Sequence, residues 1–266
     1  MKIPIFQVDA FTADVFSGNP AAVCPLEAWI DAAKMQAIAA ENNLSETAFL
    51  VRKRGGYGLR WFTSKHEVQL CGHATLASAF VVFTALDPSA QSVRFDTCSG
   101  PLVVSHDGEF LSMDFPALPV LVSGKPPEQL FRGLDPCPPV VLESARNAAE
   151  GNYFGVYENE DDVRRMRTDL SLLEQLHPAG VCVTAPGRDS DFVSRYFAPS
   201  YGIPEDPVTG STHCSLAPYW SVRLNKTRLH ARQLSPRGGE MFCEPKGDRV
   251  MLKGKAVLFL EGTISI

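Results

Sequence analysis

Three side chains that can act as an acid or a base lie in short motifs, and the residues around each of them favour a defined backbone conformation. The first is Glu46, in the segment NLSETAF at 43–49, where polar residues lead into an apolar stretch. An apolar environment removes water from a carboxyl group and disfavours its anion. Such a group can take a proton from a substrate and return it, so Glu46 is a candidate acid/base. An ordinary exposed loop glutamate fits the same composition.

The second is His73, in the segment CGHATLA at 71–77, directly after Gly72 and ahead of an apolar run. If a helix begins here, the positive end of its dipole disfavours an imidazolium. This predicts a mostly neutral His73 near pH 7, able to donate or accept a proton or to orient a substrate group. A histidine satisfied within the core is the alternative interpretation.

The third is Asp206, in the segment EDPVTGS at 205–211. Pro207 disfavours helical geometry at the residue before it, so Asp206 is predicted to lie on a stiff loop. Its carboxylate can assist proton transfer or orient a substrate. An aspartate that only forms a turn or a cap accounts for this spacing equally well.

The two glycine-led motifs belong to an internal repeat. RWFT at 60–63 precedes GHAT at 72–75, and RYFA at 195–198 precedes GSTH at 210–213. Each copy contains an aromatic strand, an acidic loop, a glycine turn and an apolar helix. Because the two glycines lie 138 residues apart, close to half of the chain, the repeat predicts two similar lobes with a cleft between them. Chance similarity is the alternative.

Both predicted helix starts can bind an anion. The first N–H groups of a helix have no partner within the helix, and the dipole adds to their attraction for negative charge. Two such ends facing one cleft would hold a carboxylate, whereas Ser211 or Thr212 acting only as a cap is the plain alternative. The candidate binding residues are Gly72, Ala74, Gly210, Ser211 and Thr212, together with Ser45 beside Glu46.

Periodicity predicts many short strands and few helices, which is typical of an α+β protein. The Pro-rich segment at 115–119 resembles a linker. It divides the chain into an N-terminal lobe, 1–117, and a C-terminal lobe, 118–257, with the last strand, about 258–266, as a candidate to join the first. Strands are predicted at 3–8, 47–52, 57–62 and within 93–115, and helices at 29–42, at 72–86 and after Gly210.

Composition excludes several classes of protein. The chain has 266 residues and a net charge of −5, which argues against a nucleic-acid-binding protein. The longest strongly apolar run, 74–86, is shorter than the ~20 residues that cross a bilayer, so no membrane association is expected. The N-terminus shows no signal peptide. We therefore expect a cytoplasmic protein whose seven cysteines are reduced, and the absence of C-x-x-C spacing predicts no zinc framework.

Taken together, the motifs resemble the phenazine-biosynthesis isomerase (PhzF-like) family. Each motif alone is weak, but they run from the first strand into the second long helix and are specific as a set. The stretch from about 121 to 176 carries little of the resemblance. The matching segments are FQVDAF at 6–11, FSGNPA at 16–21, NLSETAF at 43–49, LCGHATLA at 70–77, RYFAP at 195–199 and GIPEDPVTGS at 202–211.

The resemblance implies a diaminopimelate-epimerase-like fold, in which each of two pseudo-symmetric lobes wraps a sheet around a central helix. It implies that Glu46 is the catalytic acid/base and that His73, Asp206 and Ser211 complete the site. Members are typically homodimers without a metal or an organic cofactor. The expected activity is a proton shift on a small carboxylate, as in the phenazine-pathway member, which isomerises a dihydro-hydroxyanthranilate.

Cys71 supports a competing hypothesis. Racemases and epimerases of this fold use two cysteines, one beside each helix start, and Cys71 occupies the first of these places. The second place holds Thr209, whose hydroxyl cannot act as a thiolate does near neutral pH. A two-thiol racemase is therefore disfavoured, while a one-cysteine epimerase or dehydratase and a non-catalytic small-molecule binding protein remain as alternatives.

Overall fold

The computed structural model describes residues 1–144 and 151–266 of the chain. They form two compact units, the first made of Met1–Phe115 with Leu252–Ile266 and the second of Pro116–Met251. Within the described ranges, no helix is long and apolar enough to cross a membrane.

Strands dominate both units, and helices are few, as expected for the predicted α+β class. The strands are β1 Lys2–Ala10, β2 Asn19–Leu26, β3 Glu46–Lys53, β4 Gly56–Phe62, β5 Glu67–Val68, β6 Ser92–Thr97, β7 Gly100–Asp107, β8 Phe110–Pro116, β9 Val120–Val122, β10 Leu134–Asp135, β11 Val140–Ser144, β12 Asn152–Val156, β13 Arg167–Thr168, β14 Gly180–Pro186, β15 Phe192–Ala198, β16 Ile203–Asp206, β17 Leu229–Gln233, β18 Gly239–Lys246, β19 Arg249–Gly254 and β20 Ala256–Ser265. The helices are α1 Ala32–Asn42, α2 Gly72–Val81, α3 Glu128–Gly133, α4 Glu160–Arg164, α5 Leu170–Glu174 and α6 Gly210–Leu224, with a π-helical turn at Val82–Leu86 and a 3-10 turn at Pro199–Tyr201.

The strand pairing of the first unit alternates in direction. β1 pairs antiparallel with β2, β2 parallel with β3, β3 antiparallel with β4, β4 parallel with β6, and β6 antiparallel with β7. The short β5 adds to β4, and β20 lies along β1. A parallel pair needs a crossover connection, and α1 and α2 lie in the two crossovers.

The second unit repeats this order. β11 pairs antiparallel with β12, β12 parallel with β14, β14 antiparallel with β15, β15 parallel with β17, and β17 antiparallel with β18. The short β16 adds to β15, as β5 adds to β4. The long helix α6 lies in the second crossover, in the place that α2 occupies in the first unit. The pairing pattern therefore supports a duplicated fold, as the sequence repeat predicts.

The two crossover helices are the inner helices of their units. Eight of the ten residues of α2 and eight of the fifteen residues of α6 are buried. A helix that is buried on most sides is surrounded by the sheet of its unit, whereas a surface helix is buried on one side only. This arrangement places each helix start, at Gly72 and at Gly210, at the end of a sheet-wrapped core.

The remaining helices cover the sheets from outside. Helix α1 packs on β3 through Met35, Ile38 and Phe49, which belong to one buried apolar cluster. In the second unit, α3, α4 and α5 contribute Leu130, Val163 and Leu173 to a cluster with β14 and β15. The first of these clusters holds β3, the strand that begins at Glu46.

Two predicted helix boundaries differ from the structure. The helix predicted at 29–42 begins at Ala32, because Asp31 accepts a hydrogen bond from the N–H of Ala33 at 2.8 Å and ends the preceding loop. The helix predicted at 72–86 is α-helical to Val81 and then widens into the π-helical turn. Both predicted helix starts at glycine, Gly72 and Gly210, are confirmed.

Candidate active site

Glu46 is the first residue of β3, at the point where the chain leaves α1. Asn43 ends α1 in the left-handed conformation, with φ of 49°, which turns the chain toward the strand. Glu46 then pairs in register with Ala21 of β2. Its side chain is only 11% exposed, so the carboxyl group is largely shielded from water.

Glu46 faces His73, the second residue of α2. Oε2 of Glu46 lies 3.0 Å from Nε2 of His73, and the imidazole is 6% exposed. Although the atoms are within ion-pair distance, their angles do not form a hydrogen bond, and neither atom has another hydrogen-bond partner within the described residues. Both atoms can therefore still engage a third group, which is what a proton-transferring pair requires.

The charge state of His73 differs from the one predicted. Burial lowers the pKa of His73, but the neighbouring Cys71 and Glu46 raise it, and the resulting pKa lies well above the usual value. Burial raises the pKa of the Cys71 thiol to about 11, so this thiol is neutral near pH 7. With the thiol neutral, the Glu46 carboxylate is the acidic neighbour that favours a proton on His73. The prediction of a neutral imidazole is wrong, because the sequence did not show this carboxylate 3.0 Å away.

Two side chains contact the opposite nitrogen of His73. The amide Nδ2 of Asn19 lies 3.2 Å from Nδ1 and the Sγ of Cys71 lies 3.5 Å from it. The amide nitrogen of asparagine donates a hydrogen bond and its amide oxygen accepts one. Asn19 can therefore bond to Nδ1 of His73 whether or not that nitrogen carries a proton. Asn19 is fully buried. The sequence analysis gave it no role, although it stands within the FSGNPA motif.

The same cluster can be tested as a metal site. Glu46, Cys71 and His73 each offer a ligand atom, and these atoms lie within 4.8 Å of one another. The carboxylate faces Nε2 and the thiol faces Nδ1, so the ring stands between them. A metal ion binds one ring nitrogen along its lone pair and cannot reach both other groups while the ring keeps this orientation. The arrangement fits proton transfer better than metal binding.

We expect Glu46→Gln to lower the pKa of His73, because the variant removes the carboxylate and leaves the burial that disfavours the imidazolium. An NMR titration of the histidine signals measures this shift. Since the native pKa lies above that of the unfolded chain, the pair stabilises the fold fully below the unfolded pKa of about 6.5. This contribution disappears as pH rises through the folded pKa. An unchanged His73 titration in Glu46→Gln would contradict the assignment.

In the second unit, Asp206 ends β16 and is 7% exposed. Its Oδ2 accepts a short hydrogen bond from the hydroxyl of Thr209. Gln233 of β17 contacts the same loop, since its amide donates to the carbonyl of Asp206 at 2.8 Å and accepts from the N–H of Thr209 at 2.9 Å. Gln233 could not be identified from the sequence, because it lies 27 residues from Asp206 and in no motif.

The start of α6 does not follow the alternative in which Ser211 or Thr212 serves as the cap. Its N-cap is Thr209, and neither Ser211 nor Thr212 fills that position. Thr212 is buried and its hydroxyl donates back to the carbonyl of Thr209 at 2.9 Å, while Ser211 is exposed. Cys71 is likewise the N-cap of α2, and neither side chain forms a capping hydrogen bond with its helix. Cys71 and Thr209 thus occupy equivalent places in the repeat.

The acidic loops of the repeat hold an arginine in each unit. Arg60 forms a two-bond ion pair with Glu67, with both bonds at 2.7 Å. Arg195 forms the corresponding pair with Glu205 at 2.7 and 2.9 Å. In each unit this pair ties the strand to the loop that leads into the inner helix, so it positions the helix start.

The duplicated sheets around inner helices have the architecture of the diaminopimelate-epimerase-like fold, whose inner-helix starts here carry a buried carboxylate–imidazole pair in the first unit. The family described as phenazine biosynthesis-like protein matches residues 8–262. An isomerase of Pseudomonas aeruginosa, named as uncharacterized, is 49% identical over 273 residues and is covered completely, as is this chain. The chain belongs to the phenazine biosynthesis-like (PhzF-like) family and is an enzyme of the isomerase class.

Solved structures agree with this assignment. A phenazine biosynthesis protein of the PhzF family from Enterococcus faecalis has a TM-score of 0.92 and 44% identity, with 100% of both chains covered. A predicted epimerase from Pseudomonas aeruginosa has a TM-score of 0.75 at 19% identity, covering 98% of this chain and 99% of its own. The second likeness shows the fold alone. The predicted fold class is confirmed.

Proposed function

We propose that the protein is a cofactor-independent isomerase that moves a proton on a small carboxylate substrate by acid/base catalysis. The buried contact between Glu46 and His73, at 3.0 Å, is the observation that carries the proposal. Removing a proton from carbon requires a base that is shielded from water and a neighbouring group that stabilises the charge as it changes. Both requirements are met by this pair.

In the proposed reaction, the Glu46 carboxylate removes a proton from a carbon next to an unsaturated or activated group. The electron pair left on carbon is delocalised into that group, and the protonated Glu46 returns the proton to another carbon. The His73 imidazolium balances the charge while Glu46 alternates between its two forms. Asp206 is proposed to orient the substrate and to assist proton transfer.

Each inner-helix start is proposed to contribute backbone N–H groups that bind an anionic group of the substrate. The first-turn N–H groups of Gly72 and Ala74 and those of Gly210 and Ser211 have no acceptor within their helices. The hydroxyl of Thr212 is engaged with Thr209, so the backbone N–H of Thr212 is the group we assign to binding. Ser45, half-buried beside Glu46, is the remaining proposed binding residue.

We propose a reducing compartment, the cytoplasm, as the place of action. All seven cysteines in the described part of the chain are free, and five of them are buried. Such thiols persist where glutathione and thioredoxin keep proteins reduced. The proposal includes no metal and no nucleic-acid partner.

Incubation with a pool of candidate acids in deuterated water tests the proposed activity. Mass spectrometry should show one acid that gains deuterium at carbon or converts to an isomer of equal mass, at a rate proportional to enzyme concentration. Unsaturated cyclic acids and amino acids belong in the pool, because both have acidified C–H bonds. A protein that binds an acid but catalyses no exchange would be a non-catalytic binding protein, and the proposal would fail.

Cys71→Ser separates the proposal from a cysteine-using epimerase or dehydratase. The alternative is favoured by the place of Cys71 at the N-cap of α2, 3.5 Å from His73. It is disfavoured by a thiol whose pKa burial raises to about 11. We expect the exchange rate to change less than about threefold in this variant, whereas loss of a catalytic thiolate would lower it about a thousandfold or more. Cys214→Ser, at a buried core position, is the matched control.

We also propose that the protein is a homodimer that pairs through β20. Leu258, Phe259 and Leu260 are consecutive and exposed, so both faces of this strand are open. Phe16, 70% exposed, contacts Phe259 edge to face at 5.7 Å and extends the apolar patch. An apolar strand of this kind is an aggregation risk unless a partner covers it, and a second copy supplies a matching strand.

Light scattering after size exclusion should give a mass of twice 29.0 kDa for the wild type. Phe259→Lys should weaken the dimer about tenfold or more, because it places a charge within the apolar patch. Val222→Lys, which changes another exposed apolar residue on α6, should leave the mass unchanged. A monomeric wild type, or a dimer unaffected by Phe259→Lys, would overturn this interface.

A further inference from the structure

Gln233 is a buried residue whose entire side-chain amide is used within one loop. It lies at the end of β17 and is 2% exposed. Its Nε2 donates to the carbonyl of Asp206 at 2.8 Å and to the hydroxyl of Thr209 at 3.1 Å. Its Oε1 accepts from the N–H of Thr209 at 2.9 Å. Both amide protons and the amide oxygen therefore have partners on the loop that carries Asp206.

These partners fix the orientation of the amide. A backbone N–H only donates and a backbone carbonyl only accepts, so the oxygen of Gln233 must face Thr209 N and its nitrogen must face Asp206 O. If the amide were rotated by 180°, its N–H would face the N–H of Thr209 and its oxygen would face the carbonyl oxygen of Asp206. The donor on the hydroxyl of Thr209 is consequently the amide N–H of Gln233.

The orientation of Gln233 determines the direction of the next hydrogen bond. Because Thr209 Oγ1 accepts from Gln233, its own proton is left to be donated, and the carboxylate of Asp206 lies within reach. A proton on Oδ2 of Asp206 would compete as a second donor to the same hydroxyl, and a proton on Oδ1 would leave Oδ2 a weaker acceptor for the hydroxyl proton. The chain from Gln233 through Thr209 to Asp206 is therefore strongest when Asp206 is ionised.

We propose that Gln233 is a positioning residue, which acts through Thr209 to keep Asp206 ionised and in one orientation. The inference rests on the proposed role of Asp206 in the isomerase. It narrows that role, since Asp206 then serves as a hydrogen-bond acceptor for the substrate and Glu46 remains the group that carries the proton. It also explains why a threonine suits the place of the second racemase cysteine, because a hydroxyl both accepts and donates in this chain.

Four variants separate positioning from general support of the loop. Gln233→Met keeps the length of the side chain and removes its hydrogen bonds, and Thr209→Val removes only the hydroxyl. Thr209→Ser retains the hydroxyl and is the conservative variant. Ser235→Ala is the matched control, since Ser235 supports the same loop through the carbonyl of Pro207 at 2.8 Å without contacting Thr209.

With an acid that the wild type isomerises, we expect kcat to fall about tenfold in Gln233→Met and in Thr209→Val, with a smaller change in KM. Thr209→Ser and Ser235→Ala should stay within about twofold of the wild type. The double variant Gln233→Met/Thr209→Val should be no slower than about twofold below either single variant, because both break one chain. Additive losses, or equal losses in Ser235→Ala, would overturn the inference.

Carbon-13 NMR of labelled aspartates tests the same point without a substrate. The signal of Asp206, assigned by its loss in Asp206→Asn, should remain that of an ionised carboxylate to lower pH in the wild type than in Gln233→Met or Thr209→Val. An identical titration in all three proteins would refute the role of Gln233. If the wild type isomerises no acid, the proposed function fails, while this titration still decides the hydrogen-bond chain.

Discussion

Glu46→Gln is expected to lower the rate of proton exchange at least a thousandfold, within the range that a positioned acid/base contributes. Glutamine keeps the shape of the side chain but cannot take up a proton at neutral pH. Binding of the substrate should change little, because the proposed carboxylate ligands are backbone N–H groups at the helix starts. Deuterium uptake measured by mass spectrometry, together with the Kd for the same acid from calorimetry, separates the two effects.

Two variants control this experiment. Glu41→Gln makes the same substitution at an exposed glutamate on α1, and it should retain the full exchange rate. His73→Gln removes the imidazolium and should lower kcat while leaving Glu46 as a base, so its loss should be smaller than that of Glu46→Gln. Complete exchange in Glu46→Gln would refute the assignment of Glu46 as the acid/base.

The chain segments that could be predicted are those governed by local chemistry. A glycine at the first helical position and a run of small apolar residues predict the starts of α2 and α6, at Gly72 and Gly210, and the structure confirms both. The repeated arginine, aromatic and acidic residues predict a duplication, and the matching strand order of the two units supports it. The family motifs located Glu46 and His73, which the structure brings to 3.0 Å from each other.

Features that depend on long-range contacts could not be predicted. The charge on His73 depends on a carboxylate 27 positions earlier in the chain, and a helix dipole alone favours the opposite state. Gln233 and Asn19 act through hydrogen bonds to residues distant in the sequence, and neither residue type by itself separates such a role from that of an ordinary core amide. The side chains at the two N-caps also form no capping hydrogen bond, which helix-capping rules do not anticipate.

The repeated ion pairs give the second large expected effect. Arg195 and Glu205 are 13% and 18% exposed, and Arg195 also donates to the carbonyls of Val163 at 3.3 Å and Met166 at 3.0 Å. Arg195→Met would leave a shielded carboxylate and two carbonyls without this donor. Breaking a buried pair on one side costs about 3–5 kcal/mol, so we expect a loss of that size in the free energy of unfolding.

Arg60→Met is the matched comparison, because Arg60 and Glu67 occupy the same places in the other unit but are 30% and 37% exposed. An exposed pair contributes about 0–1 kcal/mol, and Glu67 regains water when its partner is removed. Urea denaturation of both variants measures the difference. Arg195→Met/Glu205→Gln should recover part of the loss, since it removes the uncompensated charge. Equal losses of unfolding free energy in Arg195→Met and Arg60→Met would contradict this expectation. They would show that the two ion pairs stabilise their units equally despite their different burial.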